Sequence, residues 1–258
     1  MRYLSVLLLV FCIACPLPAL SGEHAISCLG RLEPKDGVLN LAGPEGSGAV
    51  IKSLLVHEGD WIGEGGWIAL LETYELRESE VQRLEAVLKN AKRELERQNG
   101  LALTMATSRV SLDDATMKVE VAQAELAAAR ARLNLAVVTS PIRAQVLEIH
   151  AHPGEQIGAD GVLELGRTDQ MYVSAEVYET DIAKIKPGQK ARISLSALPE
   201  PLTGVVEKTA LRVGRLDILG ADPVAKTDAR VVEVKILLDN SAPVAGFTDM
   251  QVDVEISI

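Results

Sequence analysis

The sequence LDDATMKVEVAQAELAAARARLNLA, which spans residues 112–136, decides the fold. Its apolar residues recur at alternating spacings of three and four, which is the heptad pattern of a coiled coil. This seam contains Leu112, Ala115, Val119, Ala122, Leu126, Ala129, Leu133 and Ala136. An earlier stretch repeats the pattern with Val81, Leu84, Leu88, Ala91 and Leu95. We therefore predict an antiparallel, coiled-coil helical hairpin over residues 73–136.

The first arm of this hairpin is predicted to end at Asn99 and Gly100, because both residue types adopt the left-handed conformation that stops helices. Ser108 or Ser111 can then cap the second arm. Two arrangements remain open for the pair of helices. It could pack on a globular core, but its narrow, alanine-rich seam favours a coiled coil that projects from the rest of the chain.

The composition argues against a nucleic-acid partner. The 258 residues include 36 acidic and 26 basic side chains, a net charge of −10, and no basic face is visible for phosphate groups. Aromatic residues make up only 3%, so the cores must be aliphatic. The length allows two or three small domains.

The first 21 residues have the pattern of an export signal. Arg2 precedes an apolar run over residues 4–15, and residues 19–21 offer a cleavage site before Gly22. Retention as an N-terminal anchor, or lipidation of a cysteine at position 12 or 15, are the alternatives. Each of them places the folded part outside the cytoplasm. Cys28 is the one cysteine that follows, and we interpret it as a buried, inert thiol.

An internal repeat flanks the predicted hairpin. Residues 57–70 match residues 152–165 at the glycines, at the acidic residue after the first glycine, and at alternate apolar positions. The repeated glycines are Gly59, Gly63 and Gly66, matched by Gly154, Gly158 and Gly161. Because glycine adopts positive φ angles readily, we expect tight turns at these positions and half-buried strands after them.

Two G-D/E-x-I-G-x-x-G segments around a coiled-coil hairpin resemble the split lipoyl domain of periplasmic adaptor proteins, or membrane fusion proteins, of the hemolysin-secretion D type. The similarity continues through residues 137–142, where these adaptors return from the hairpin, and through 171–189, which resemble the opening of their β-barrel domain. Residues 30–34, 229–236 and 250–254 are most similar to the DevB-like branch, which works with ABC-type exporters.

The resemblance implies a mainly β fold with an inserted α-helical coiled-coil hairpin, made of a split, biotinyl-like lipoyl domain and a β-barrel domain. Residues 22–39 would form a first strand (25–32) and a connection, 40–72 and 137–168 the lipoyl domain, and 169–258 the barrel. Predicted barrel strands are 173–177, 191–195, 202–213, 231–238 and 252–258, with a short helix at 180–185, a turn at Pro187 and Gly188, and an exposed loop at 214–230. A membrane-proximal domain is expected to be absent or reduced.

The function implied by the resemblance is that of a periplasmic adaptor in a tripartite export system. Such adaptors bridge an inner-membrane ABC transporter permease to an outer-membrane TolC-like channel, and they form rings, commonly of six copies, at the inner-membrane surface. The expected location is the periplasm, held at the inner membrane by the N-terminal segment or by the transporter. An adaptor of a proton-driven efflux pump is the alternative, since it shares this architecture.

Three residues near the predicted turn match the Arg-Leu-Ser tip motif with which these adaptors dock on the channel. They are Arg97, Leu101 and Ser108, at spacings of four and seven. Leu101 could fill an apolar groove between channel helices, while Arg97 and Ser108 supply hydrogen bonds.

No enzymatic, metal or cofactor site is expected. Residues 43–48 are rich in glycine but lack the Gly-Lys-Ser/Thr ending of a phosphate loop. His150 and His152 share a strand face without a third ligand at a recognisable spacing, and no nucleophile motif occurs. A lipoyl or biotinyl carrier shares the lipoyl fold, but it carries its modified lysine on a tight turn, whereas Lys118 lies within a predicted helical arm.

Overall fold

The computed structural model describes residues 24–44, 48–215 and 230–258. The predicted leader and the middle of the predicted loop 214–230 lie outside these ranges. In chain order the elements are β1 (Ala25–Leu41), β2 (Ile51–Leu54), β3 (Trp61–Ile62), β4 (Trp67–Leu71), α1 (Tyr74–Leu103), α2 (Arg109–Asn134), β5 (Val137–Thr139), β6 (Ala144–Ile149), β7 (Leu163–Tyr178), β8 (Lys190–Ser194), β9 (Leu202–Arg215), β10 (Arg230–Leu238) and β11 (Gln251–Ser257). The fold class is therefore confirmed as mainly β with one inserted helical hairpin.

The two helices pack on each other along the heptad seam. α1 buries Val81 and Leu84, and α2 buries Ala115, Val119, Ala122, Leu126 and Ala129. The remaining leucines of the seam are half-buried: Leu88, Leu95, Leu112 and Leu133. Polar contacts also join the arms, since Arg130 pairs with Glu85 at 2.7 Å and Arg77 donates to the carbonyl of Arg132 at 2.7 Å.

The two segments of the predicted lipoyl domain share one aliphatic core. The first segment contributes Ile51, Val56, Ile62, Ile68, Ala69 and Leu71, and the second contributes Val138, Ala144, Val146, Ala151, Ile157, Val162, Leu163 and Leu165. α1 begins after β4 and α2 ends before β5, and these two strands pair antiparallel. The hairpin therefore leaves the lipoyl core through adjacent strands, which brings the bases of its two arms together.

The internal repeat is visible in matching hydrogen bonds. Asp60 Oδ2 accepts from the backbone N–H of His57 at 2.8 Å, and Glu155 Oε2 accepts from that of His152 at 2.9 Å. In both cases the carboxylate satisfies a backbone donor at the start of the turn, which explains why an acidic residue follows the first glycine in each repeat.

The glycines of the repeat do not all have the expected positive φ angle. Gly59, Gly154 and Gly161 have φ angles of 88°, 87° and 81°. Gly63, Gly66 and Gly158 have no positive φ, and in the first repeat the left-handed residue next to Gly66 is Gly65, with φ 74°. The second turns of the two repeats thus match in sequence but differ in backbone conformation.

Six strands close into a barrel in the order β1-β11-β8-β9-β10-β7, and β7 pairs back to β1. Its interior is aliphatic, with Met171, Val173, Ile193, Ile236 and Ile256 fully buried. The predicted strands after residue 169 correspond to β7 to β11. The predicted short helix is a single 3₁₀ turn at Ile182–Lys184, and Gly188 has φ 94° in the turn after it. Residues 214, 215 and 230, predicted to lie in a loop, belong to β9 and β10.

The first strand is longer than predicted, and the expectation that it stops at Leu32 is wrong. β1 continues to Leu41, because Pro34 lies beside a break in the ladder where its missing N–H costs little. The register shifts between Pro34 and Lys35 and again between Lys35 and Val38, and Asp36 and Gly37 form a bulge with φ 68° and 79°. β1 therefore pairs with β7 through both the barrel and the lipoyl domain, and the predicted boundary at residue 168 falls inside one continuous strand.

None of the helices within the described ranges is both long and apolar enough to cross a membrane.

Candidate functional site at the hairpin tip

The first arm ends three residues later than predicted, so the expected stop at Asn99 and Gly100 is wrong. Gly100 is helical, and α1 continues to Leu103. The backbone N–H of Ala106 donates to the Leu101 carbonyl at 2.9 Å, and that of Met105 donates to the Ala102 carbonyl at 3.1 Å. Met105 has φ 57°. These are the two bonds of a Schellman motif, with a methionine in the left-handed position that glycine usually occupies.

The second arm begins at Ser108, which caps α2. Ser108 Oγ accepts from the backbone N–H of Ser111 at 3.1 Å, and the two serine hydroxyls lie 2.8 Å apart. Thr107 Oγ1 donates to Gln98 Oε1 at 2.6 Å and ties the connection to the end of α1. Backbone and side-chain hydrogen bonds therefore connect the two arms across the turn.

The three residues of the predicted tip motif all make contacts within the hairpin. Arg97 forms a salt bridge with Glu94, and hydrogen bonds from Arg97 and then Gln98 hold the pKa of the Glu94 carboxyl below its usual value. Leu101 lies in the last turn of α1, and 38% of its surface is exposed. Ser108 is engaged as the cap of α2.

Three other apolar residues dominate the surface of the tip. Leu103 is 88% exposed, Met105 95% and Val110 77%. The sequence analysis did not identify these residues. The pattern that indicates their exposure is that all three lie outside the heptad positions of the seam, in a segment that contains few charges. Exposed apolar side chains grouped at one end of a structure are typical of interaction surfaces.

The described residues hold no cluster of three or more side chains suited to a metal ion. His150 lies 3.4 Å from Glu164, whereas His152 lies 3.6 Å from Glu155, so the two histidines have separate partners. Lys118 lies within α2 and pairs with Asp114 at 2.6 Å. Burial raises the pKa of the Cys28 thiol to about 12, and the Glu176 carboxylate adds to the rise.

The hairpin matches a known domain. The family described as "RND MFP, alpha-helical hairpin domain" matches residues 73–139. The macrolide export protein MacA of Escherichia coli O157:H7 is 32% identical over 140 residues, which cover 47% of this chain and 37% of that protein. The MacA of Yersinia pestis is 28% identical over 183 residues, which cover 58% of this chain and 48% of that protein. The chain thus spans less than half the length of these curated relatives.

Solved structures share the fold. A MacA-MexA chimeric protein that contains the Pseudomonas aeruginosa MexA α-hairpin domain superposes with a TM-score of 0.72 at 20% identity, and the match covers 92% of this chain and 79% of that one. The membrane fusion protein Spr0693 of Streptococcus pneumoniae R6 gives 0.62 at 16% identity, with 90% and 98% covered. MacA of Actinobacillus actinomycetemcomitans gives 0.57 at 19% identity, with 92% and 79% covered. Residues 73–139 therefore match the α-helical hairpin domain of that family, and the chain shares the fold of these solved structures.

Proposed function

We propose that this protein is the periplasmic adaptor of a tripartite export system. It would bridge an inner-membrane ABC transporter permease to an outer-membrane TolC-like channel, and it would act by binding and not by catalysis. Copies would assemble head-to-tail into a ring through their lipoyl domains, commonly of six, at the inner-membrane surface. The N-terminal segment or the transporter would hold the ring there.

The observation that carries this proposal is a long helical hairpin whose tip exposes apolar side chains. α1 has 30 residues, so it extends over about 45 Å at about 1.5 Å per residue. The arms bury their seam against each other, and they leave the lipoyl core at its edge. A coiled coil of this length carries Leu103, Met105 and Val110 far from the β domains, where they serve no internal packing.

Docking would use the whole tip, including the predicted residues. The apolar side chains Leu101, Leu103 and Met105 would enter a groove between helices of the channel. Arg97 would exchange its partner Glu94 for a carboxylate or a helix C-terminus of the channel. Ser108 would contribute by fixing the start of α2, which positions Val110.

Two classes of transporter are candidates for the inner-membrane partner. The similarity to the DevB-like branch and to proteins named for macrolide export favours an ABC transporter and makes a macrolide the first substrate to test. The matching hairpin family is of the RND type, which favours a proton-driven pump. Affinity capture of the tagged chain from native membranes decides between the two. Co-purification of an ABC permease with its ATPase would identify an ABC transporter, and co-purification of a single large pump would identify a proton-driven one.

The docking proposal is tested by placing carboxylates on the tip. In the double variant Leu103→Asp, Met105→Asp, folding should be unchanged because both side chains are exposed, whereas an unpaired carboxylate in an apolar groove costs several kcal/mol. We expect capture of the TolC-like channel from solubilised membranes to fall at least tenfold. The matched control Gln123→Asp, Ala127→Asp places the same two charges on exposed positions of α2 away from the tip. Equal capture by the double variant and the control would refute docking through the tip.

A further inference from the structure

Met105 combines two features that are both unfavourable for a methionine. Its backbone has φ 57°, a left-handed conformation that is uncommon for residues other than glycine, and its side chain is 95% exposed. The conformation is strained for any residue with a Cβ atom, and the exposure leaves no buried apolar surface to offset that strain. A strained residue without an internal packing role is a candidate for a side chain that is kept for function.

The methionine side chain has two properties that leucine lacks. Its thioether is flexible and polarizable, so it adapts to irregular apolar grooves. Its sulfur is also oxidised to a sulfoxide, which converts a flexible apolar side chain into a polar one. The first property suits docking of the tip, and the second makes a docked surface sensitive to oxidants.

The five methionines of the chain differ widely in their access to an oxidant. Met105 is 95% exposed, Met117 is 54% exposed and Met171 is fully buried. Met250 is half-buried and packs against the core of the barrel, and Met1 lies outside the described residues. Met105 is therefore the most accessible methionine in the described part of the chain.

The residues around Met105 do not compete with it for an oxidant. Between Gln98 and Ser111, Met105 is the one residue with a sulfur atom or with an aromatic or imidazole ring. The Cys28 thiol packs against the barrel core, and burial raises its pKa to about 12, which leaves little of the reactive thiolate. An oxidant that reaches the tip therefore acts on Met105.

We propose that Met105 is an oxidant-sensitive modification site that controls docking of the tip. Hydrogen peroxide or a hypohalous acid supplies one oxygen atom. With peroxide, the sulfur attacks one oxygen, an S–O bond forms while the O–O bond breaks, and the second oxygen leaves as water. The sulfur loses two electrons and the peroxide gains them. This site rests on the proposed docking through the tip and adds a chemical control to it.

The oxidised side chain no longer fits an apolar groove. The sulfoxide oxygen accepts hydrogen bonds, so its burial among apolar side chains without a donor is unfavourable. The neighbouring Leu101 and Leu103 contain no sulfur, so the change is confined to one side chain. The thioether takes no part in the turn itself, where the backbone N–H of Met105 donates to the Ala102 carbonyl at 3.1 Å. Oxidation therefore alters the docking surface without unfolding the hairpin.

The exposure of Met105 also makes the change reversible. Methionine sulfoxide reductases return the sulfoxide to the thioether, with one enzyme for each of its two epimers. A side chain that is 95% exposed at the end of a long hairpin is open to such an enzyme when the tip is not docked. The site can therefore act as a switch, with oxidation releasing the tip and reduction restoring it.

Mass spectrometry combined with channel capture tests the proposal. The purified full chain is treated with hydrogen peroxide, freed of oxidant and then added to solubilised membranes that contain the TolC-like channel, so that the channel itself is not oxidised. We expect sulfoxide to form at Met105 at least about tenfold faster than at Met171. Capture of the channel should fall at least about tenfold when Met105 is oxidised, and treatment with both reductases should restore it.

Two matched variants assign the effect to one sulfur. Met105→Leu keeps an apolar side chain and removes the sulfur, so oxidation should leave its capture at the value measured before treatment. Met117→Leu removes the other exposed sulfur, so its capture should fall on oxidation as in the unaltered chain. Undiminished capture by a chain oxidised at Met105, or an equal fall for oxidised Met105→Leu, would overturn the proposal. Loss of helical circular dichroism on oxidation would also overturn it, because the effect would then be unfolding.

The result is separable from that of the proposed function. An untreated chain that captures no channel would reject docking and the switch together. Capture that oxidation leaves unchanged would retain docking through the tip and reject the switch alone.

Discussion

Gly66 shows that a glycine can be required by a close contact and not by its backbone angle. A Cβ atom at Gly66 would lie 2.6 Å from Ile62 Cγ2 and 2.9 Å from the Gly63 carbonyl oxygen, whereas a Cβ at Gly63 would meet nothing within 4 Å. We expect Gly66→Ala to cost about 1–3 kcal/mol of unfolding free energy and Gly63→Ala less than about 0.5 kcal/mol. Urea unfolding of the two variants measures the difference, and equal costs would show that the close contact is not what fixes glycine at position 66.

Met105 has the left-handed backbone conformation, which is strained for every residue that carries a Cβ atom. Its side chain is 95% exposed. Met105→Gly should therefore stabilise the hairpin by about 1 kcal/mol, since glycine adopts this conformation without strain. The same change removes an apolar side chain from the tip and should weaken capture of the channel. Met105→Ala separates the two effects, because it retains the strain and removes the side chain. A variant with glycine that is less stable than the one with alanine would contradict this reasoning.

Cys28 should be chemically silent. With a pKa of about 12 the thiol is almost entirely protonated at pH 8, so alkylation should be on the order of a thousandfold slower than for a free cysteine. Because the folded pKa lies above that of the unfolded chain, any stability gained from this group is present below about pH 9 and is lost as the pH rises toward 12. Mass spectrometry after iodoacetamide treatment measures the labelling, and rapid modification of the folded chain would contradict the assignment.

At the scale of elements, the seam sets the stability of the hairpin. Leu126 is 6% exposed and packs with Val81, Leu84 and Ala129. Leu126→Asp would bury an unpaired carboxylate and should cost more than about 3 kcal/mol. Ala127→Asp, one residue later on the exposed side, should cost less than about 0.5 kcal/mol. Loss of helical circular dichroism and rapid proteolysis of the arms should follow the first change alone, and similar behaviour of the two variants would argue against the seam.

Sequence periodicity predicted this element well and its end poorly. The heptads of Leu84, Val119 and Leu126 repeat over several turns, so many residues support one interpretation. The end of α1 was predicted from two residues alone, Asn99 and Gly100. Their helix-stop preference is about 1 kcal/mol, which is less than the hydrogen bonds gained by continuing to Leu103. The same reasoning explains β1. Pro34 locally disfavours continuation of the strand, but the hydrogen bonds with β7 on both sides of Pro34 outweigh that preference.

At the tip, the residue spacing behind the predicted docking motif did not show which side chains are exposed. Arg97, Leu101 and Ser108 were found by their spacing, yet spacing does not show that Glu94 binds Arg97 or that Ser108 is used as a cap. The exposure of Leu103 and Met105 depends on where the Schellman turn falls, which is a matter of three residues. Each residue that continues the helix turns the direction of its side chain by about 100°. Three additional helical residues therefore change where the side chains at the end of α1 point.

At the scale of the whole molecule, β1 and β7 run without a break through the predicted lipoyl domain and the barrel. Both strands run through both domains and pair with each other in each of them. Gly30 illustrates how closely β1 is held, because a Cβ there would lie 2.6 Å from Val173 and 3.1 Å from Val254, on the two neighbouring strands. Local opening of either domain would have to break one of these strands partway along its length.

We therefore expect the lipoyl domain and the barrel to unfold together in urea. The two tryptophans of the chain, Trp61 and Trp67, both lie in the first lipoyl segment, so tryptophan fluorescence reports that domain. Hydrogen exchange of peptides from β8 to β11 reports the barrel. The two midpoints should agree within about 0.3 M urea, as they do for a two-state transition. Midpoints separated by more than about 1 M would mean that the bulge at Asp36 and Gly37 uncouples the domains, and that the shared strands act as a hinge between two independently stable units.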